Sequence, residues 1–302
     1  MPQSPAWFEG FDARRIPADG IEIAVRLGGR RDRPPLILLH GFPQTHAMWH
    51  RVAQGLRDDF FLILPDLRGY GDSGKPPGGG NHAAYGKRRM AADMIAVADA
   101  LQVGRFNLCG HDRGGRVAHR LALDHPDRVE RLCVIDIAPT LDMYERTDMA
   151  FASAYYHWFH LIQPEPLPET MIACDPVAYL HTKLGRWGGQ GLGHVEPAAM
   201  AEYERCFCTP EGIHGACEDY RASAGIDLEL DRASRADGQR VACDMLVLWG
   251  ERGVVNRLFR PLELWQSSCA ASVEGRTMPA GHYIPEELPG DTATALRRFF
   301  SR

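Results

Sequence analysis

The sequence predicts an α/β fold with a mostly parallel central sheet, and three observations carry that expectation. Short apolar runs rich in Leu, Ile and Val alternate with longer stretches of helical periodicity. The alternation stops near Ala138 and resumes near Val241, leaving a segment rich in aromatics, Pro and Gly between them. A turn of the form Gly-x-Asp-x-Gly, Gly110 to Gly114, joins one apolar run to the helical stretch after it.

In chain order the apolar runs are Leu36 to Leu39, Phe60 to Leu64, Phe106 to Cys109, Leu132 to Ile135 and Met245 to Leu248. Unbroken runs of this length fit strands buried on both faces, as in a parallel sheet covered by its crossover helices. Met90, Met94, Val97 and Leu101 recur at helical spacing, so that segment is expected to lay one face on the sheet. The interruption carries Tyr155, Tyr156, Trp158, Phe159, Pro164, Pro166, Pro168, Trp187 and Gly188, with helical patches and no strand pattern. The expected organisation is a core made of residues 1–139 and 236–302, with a helical cap, 140–235, inserted after the strand that ends near Asp136. A chain of 302 residues accommodates one such domain with its insertion.

Composition narrows the function classes. With 45% hydrophobic and 24% charged residues the chain can bury a full core but is too polar to sit in a membrane. Thirty-four Lys and Arg against 39 Asp and Glu give a net charge of −5, so no broad basic field attracts nucleic acid or anionic lipid. Any anion has to be bound locally. Met1 to Gly20 is broken by Pro2, Pro5 and charges and lacks the apolar core of a signal peptide, and no run approaches the roughly 18 apolar residues of a spanning helix. A cytoplasmic protein is expected. The eight cysteines form no paired CxxC array, and Cys206, Cys208 and His214 match no common zinc spacing. They are read as reduced thiols, with neither metal nor cofactor expected.

The chemistry centres on Asp112. A strand, Gly110, His111, Asp112, Arg113, Gly114 and then a helix make a nucleophile elbow, whose glycines allow the tight turn that lifts the central side chain above the sheet. A carboxylate there attacks an sp³ carbon bearing a leaving group or a strained ring and forms an alkyl ester, where a serine would attack a carbonyl. Hydrolysing that ester requires a base, an orienting acid and an oxyanion site. His282, late in the chain after Met278, Pro279, Ala280 and Gly281, is the candidate base. Asp136, at the end of its strand, is the preferred orienting carboxylate; Glu251, in the stretch Trp249 to Gly253 that follows the run Met245 to Leu248, is the fallback. The backbone N–H groups of Arg113 and of Phe42, in the loop His40, Gly41, Phe42, Pro43, are the expected oxyanion donors.

Together, His40 to Thr45, Asp66 to Ser73, the Asp112 elbow and His282 resemble the α/β-hydrolase branch of epoxide hydrolases and haloalkane dehalogenases. Gly110 to Gly114 with Arg116, the pair His157 and Trp158, and Glu218, Asp219, Tyr220, Arg221 resemble the fluoroacetate (haloacetate) dehalogenases within it. The resemblance implies Asp112 as nucleophile, Asp136 as acid and His282 as base. It further implies that Arg113 and Arg116 hold a substrate carboxylate, and that His157, Trp158 and Tyr220 surround the departing halide. Two arginines three apart at a helix start share one side of it, and guanidinium forks suit carboxylates. The implied partners are a small anionic haloacid and water, in a homodimer; epoxide hydrolysis and dehalogenation of neutral haloalkanes are the alternatives. Arg113 stands where haloalkane dehalogenases usually carry a halide-binding Trp, which argues for an anionic substrate. Cys206 and Cys208 and the stretch Gly188 to Gly193 match no part of the pattern.

Overall fold

A computed structural model describes residues 6–187 and 191–302; Met1 to Pro5 of the N-terminal stretch and Gly188, Gly189 and Gln190 of the glycine-rich stretch lie outside them. The strands form one eight-stranded sheet among the described residues, in the order β1-β2-β4-β3-β5-β6-β7-β8. They are β1 (Asp12–Ala18), β2 (Ile21–Gly29), β3 (Pro35–Leu39), β4 (Phe61–Pro65), β5 (Phe106–His111), β6 (Val129–Ile135), β7 (Met245–Gly250) and β8 (Val273–Met278). From β4 to β8 all neighbours are parallel, whereas β1 pairs with β2 and β2 with β4 antiparallel. The five apolar runs of the sequence are β3 to β7, with limits that differ by up to three residues.

Three strands are additions to the sequence reading. The β1–β2 hairpin turns at Asp19 and Gly20, both at positive φ (26° and 79°), which is the backbone that an Asp-Gly pair adopts in a two-residue hairpin loop. Along β2 buried and more exposed residues alternate in part, so no continuous apolar run marks it. Edge strand β8, Val-Glu-Gly-Arg-Thr-Met, buries only Met278 fully and hides for the same reason.

Between β1 and β6 the chain forms α1 (His50–Leu56), α2 (Lys87–Ala100) and α3 (Arg113–Asp124). Met90, Met94 and Val97 of α2 are fully buried, and α3 packs on α2 and on β5 and β6. From β6 to β7 the described residues form helices only: α4 (Thr140–Glu145), α5 (Met149–Ala154), α6 (Tyr156–Leu161), α7 (Leu167–Ala173), α8 (Pro176–Trp187), α9 (Pro197–Phe207), α10 (Pro210–Ala224) and α11 (Ile226–Ala236). Helix α10 packs against α6, α7, α9 and α11 and is the hub of this layer. The chain closes with α12 (Val254–Leu258), α13 (Pro261–Ser268), α14 (Ile284–Glu287) and α15 (Pro289–Phe300), the last packed on α1. No helix among the described residues is long and apolar enough to cross a membrane. All eight cysteines are unpaired, and no group of three or more metal-ligating side chains occurs among the described residues.

Candidate active site

Asp112 caps the N-terminus of α3 directly after β5, at φ 48° and ψ −116°, a conformation that L residues rarely hold. The surrounding glycines permit it. A Cβ on Gly114 would meet the carbonyls of Leu39 and His40 at about 2.5 Å, and one on Gly41 would strike the Asp112 Cβ at 2.5 Å. With the loops packed this closely, the backbone N–H of Phe42 donates to Asp112 Oδ1 at 2.9 Å. Oδ2 lies 3.8 Å from His282 Nε2, beyond hydrogen-bonding distance.

His282 follows β8, and its Nδ1 donates to Asp136 Oδ2 at 2.6 Å, while Asp136 Oδ1 accepts the N–H of Gly250 at 2.9 Å. This arrangement leaves Nε2 as the basic nitrogen and turns it toward Asp112. Asp136 also holds positive φ (52°) at the end of β6, and Glu251 is exposed in the turn after β7, so the structure brings Asp136 rather than the fallback Glu251 to the histidine. The His282 backbone is fixed as well: its N–H donates to Trp187 O at 2.9 Å and its carbonyl accepts from His111 Nε2 at 2.8 Å.

Burial opposes charge on His282, but the hydrogen bond and charge of Asp136, with help from Asp112, hold its pKa above the ordinary value. Asp112 shifts the other way. Burial would raise it, yet His282 and the nearby guanidinium groups of Arg113 and Arg116 hold it below the usual carboxylate range, so it is ionised at neutral pH.

The arginines are arranged differently from the fork that the sequence suggests. Arg113 is wholly buried and gives its two-pronged face to Asp219 of α10, Nε to Oδ2 at 2.9 Å and Nη2 to Oδ1 at 2.7 Å, while its guanidinium lies 4.2 Å from the centre of the Tyr220 ring. Arg116 spends Nη1 on Thr140 Oγ1 (2.9 Å) and Ala138 O (3.3 Å) and turns Nη2 to the Met143 sulfur. One nitrogen on each remains without a partner, Nη1 of Arg113 and Nε of Arg116.

His157 and Trp158 stand on α6 and Tyr220 on α10, all buried. Their rings meet: His157 and Tyr220 at 5.5 Å, Trp158 and Tyr220 at 6.4 Å, with Phe42 5.9 Å from His157 and 5.3 Å from Tyr220. His157 Nδ1, Trp158 Nε1 and Tyr220 Oη make no hydrogen bond. A buried donor without an acceptor costs about 1–3 kcal/mol, so three together mark a place shaped for an acceptor that enters from outside. Burial keeps the His157 pKa well below its ordinary value, so its imidazole is neutral, and the tautomer protonated at Nδ1 can donate.

The structure brings to the site residues that the sequence reading named without a role. Trp187 lies 4.4 Å from the His157 ring and 5.9 Å from His282, and Tyr155 lies 5.3 Å from His157. Asp219 is wholly buried and also accepts from Tyr70 Oη at 2.6 Å and from Lys87 Nζ. One signal for Asp219 was present: it falls a helical turn after Ala216 on the stripe of α10 that also carries Ile213 and Tyr220, which puts a carboxylate on a face meant for burial. Cys206 is buried and Cys208 half-buried on the cap, and neither contacts the catalytic groups.

Comparison with known proteins agrees with this fold. The family model described as alpha/beta hydrolase fold matches residues 34–287. A fluoroacetate dehalogenase from a Burkholderia species is 43% identical over 97% of this chain and 95% of its own. A soluble epoxide hydrolase from Corynebacterium sp. (strain C12) is 32% identical over 88% of this chain and 90% of its own. Among solved structures, a putative alpha/beta hydrolase from Nostoc sp PCC 7120 superposes with a TM-score of 0.94 at 46% identity, covering 98% of this chain and 99% of that one.

Proposed function

We propose, from the premise that the chain belongs to the α/β-hydrolase fold family and is a relative of fluoroacetate dehalogenase, that it hydrolyses a short 2-haloacid such as fluoroacetate to the 2-hydroxyacid and halide. The observation that carries this reading is the set of five buried, unpartnered donors, two on arginines and three on the aromatic side of the cap. Such a set suits a ligand with two separate acceptor ends, a carboxylate and a halogen.

In this reading ionised Asp112 attacks the α-carbon of the haloacid. The carbon–halogen bond breaks, the electron pair leaves with the halide, and an ester links Asp112 to the acid. Fluoride is a poor leaving group, so donors from His157, Trp158 and Tyr220 that strengthen as its charge grows lower the barrier. Esterification removes the Asp112 charge, one of the influences that raise the His282 pKa, so more of the histidine is neutral and free to take a proton when its turn comes. His282 Nε2 takes a proton from water, which attacks the Asp112 acyl carbon. The oxyanion that forms there is held by the N–H of Phe42 and that of Arg113. Collapse returns the proton to the departing 2-hydroxyacid and restores Asp112. Residues 140–235 are the cap that carries the halide side of the pocket over the core. The reading includes no cofactor, and a cytoplasmic homodimer.

Epoxide hydrolysis is the second reading, because Tyr155 and Tyr220 are both buried cap tyrosines flanking His157 and a relative bears that name. An uncharged epoxide, like a neutral haloalkane, leaves the free N–H groups of Arg113 and Arg116 unsatisfied. A fold that only binds a small ligand would need no Asp112, Asp136 and His282 set. Measuring halide released from fluoroacetate and chloroacetate beside diol formed from a styrene-type epoxide separates these readings. Halide release from the acids with no diol is expected; diol formation without halide release overturns the proposal.

A further inference from the structure

We propose that Asp219, which itself touches no substrate, is the residue that positions the substrate carboxylate: by holding Nε and Nη2 of Arg113 it leaves Nη1 alone to act with Nε of Arg116, so the carboxylate is bridged between two arginines. The inference rests on the haloacid reading and deepens it. Four observations converge. The Asp219 carboxylate receives three parts of the core at once: Arg113 of α3, Lys87 at the start of α2, and Tyr70 of the loop after β4. Its backbone carbonyl accepts Arg113 Nη2 again at 3.1 Å, so the guanidinium plane is fixed by side chain and main chain of one residue. Lys87 is held in turn by Asp227 at the start of α11, 3.8 Å away, with the Lys87 N–H donating to Asp227 Oδ1 at 2.7 Å. The only guanidinium nitrogens of Arg113 and Arg116 left without a partner are then Nη1 and Nε.

A free Arg113 would offer a carboxylate any of its edges and would hold it in several poses. Clamped, it offers one nitrogen, Nη1, and its guanidinium stacks on the Tyr220 ring at 4.2 Å. Asp219 and Tyr220 are consecutive, so one short piece of α10 both orients the carboxylate donor and supplies a halide donor. The spacing between the two ends of the ligand is thereby set by a single rigid segment, which favours acids with the halogen on the carbon next to the carboxylate.

The test is a comparison of D219N with the wild type. Loss of one charge-assisted contact in the clamp is expected to raise KM for haloacetate, and the inhibition constant of the product hydroxyacid, by about 10- to 100-fold, with kcat falling less than about threefold. A fall in kcat as large as the rise in KM, or an unchanged KM and inhibition constant, overturns the proposal, since a merely structural role lowers the amount of working enzyme and not its affinity. If D219N does not fold, as judged by circular dichroism, the double variant K87M D219N removes one cation with the anion and carries the same expectation. The wild type is assayed first: no halide release from any haloacetate refutes the functional reading, whereas wild-type turnover with an unaltered KM in the variant refutes only the role of Asp219.

Discussion

The two halves of the site are finished to different degrees. On the core side Asp136 has both oxygens bonded, His282 has its Nδ1 and both main-chain groups bonded, and Asp112 Oδ1 is held by Phe42. On the cap side His157 Nδ1, Trp158 Nε1 and Tyr220 Oη are equally buried and bonded to nothing. In the proposed mechanism the core half performs proton and bond chemistry that must be preorganised before substrate arrives, and its partners are internal. In the same mechanism the cap half is completed by an acceptor that grows more negative during the reaction, and unpaired donors keep their strength for that moment.

If this division is right, damage to the core half stops chemistry and damage to the cap half changes which halide leaves. The largest effect is expected at the core. D112N should lose at least about 10⁴-fold in turnover, and H282N should stop after the first step, so that mass spectrometry finds a carboxymethyl group on Asp112. An unmodified Asp112 in H282N incubated with haloacetate would argue against His282 as the base of the second step.

Smaller effects are expected across the cap. Y220F and W158F each remove one donor and should slow fluoroacetate by about 10²-fold while slowing chloroacetate several-fold less, because the poorer leaving group leans harder on hydrogen bonds. Equal losses on both substrates, measured as kcat, would sever the link between these donors and the halide.

The smallest effect is a displacement in pH. Free His282 is held above its ordinary pKa by Asp136 and by the charge of Asp112, and the ester has lost the second of these. The histidine must be neutral to act, so kcat falls as pH drops through its pKa in the ester. That limb should lie at lower pH than the titration of His282 in the free enzyme followed by NMR; a limb at the same pH or higher would show that the Asp112 charge does not act on the base.

Legibility in the sequence followed burial pattern and local spacing. Strands β3 to β7 are double-faced apolar runs and could be read directly, whereas the partly alternating β2 and the polar β8 could not, although Asp19-Gly20 was a usable hairpin signal. Asp112 was legible because an elbow is a local motif of five residues. Reading Asp136 needed only its place after a strand, and reading His282 its place late in the chain, after the nucleophile and the acid. The Asp219 clamp was not legible. Its partners Tyr70, Lys87 and Arg113 lie more than 100 residues away, and the stripe that puts Asp219 on a buried face of α10 does not say which residues meet it there. That the Nε/Nη2 edge of Arg113 is already on Asp219 was hidden for the same reason, since spacing shows that Arg113 and Arg116 share a side of the helix but not what occupies them.

The central claim is that Asp112 becomes covalently bound and is freed by water attacking its own acyl carbon. A single turnover in heavy-oxygen water, with enzyme in excess over haloacetate, tests it. The account predicts the heavy oxygen in the Asp112 carboxylate and a product hydroxyl without label; label in the product hydroxyl and none in Asp112 would contradict it.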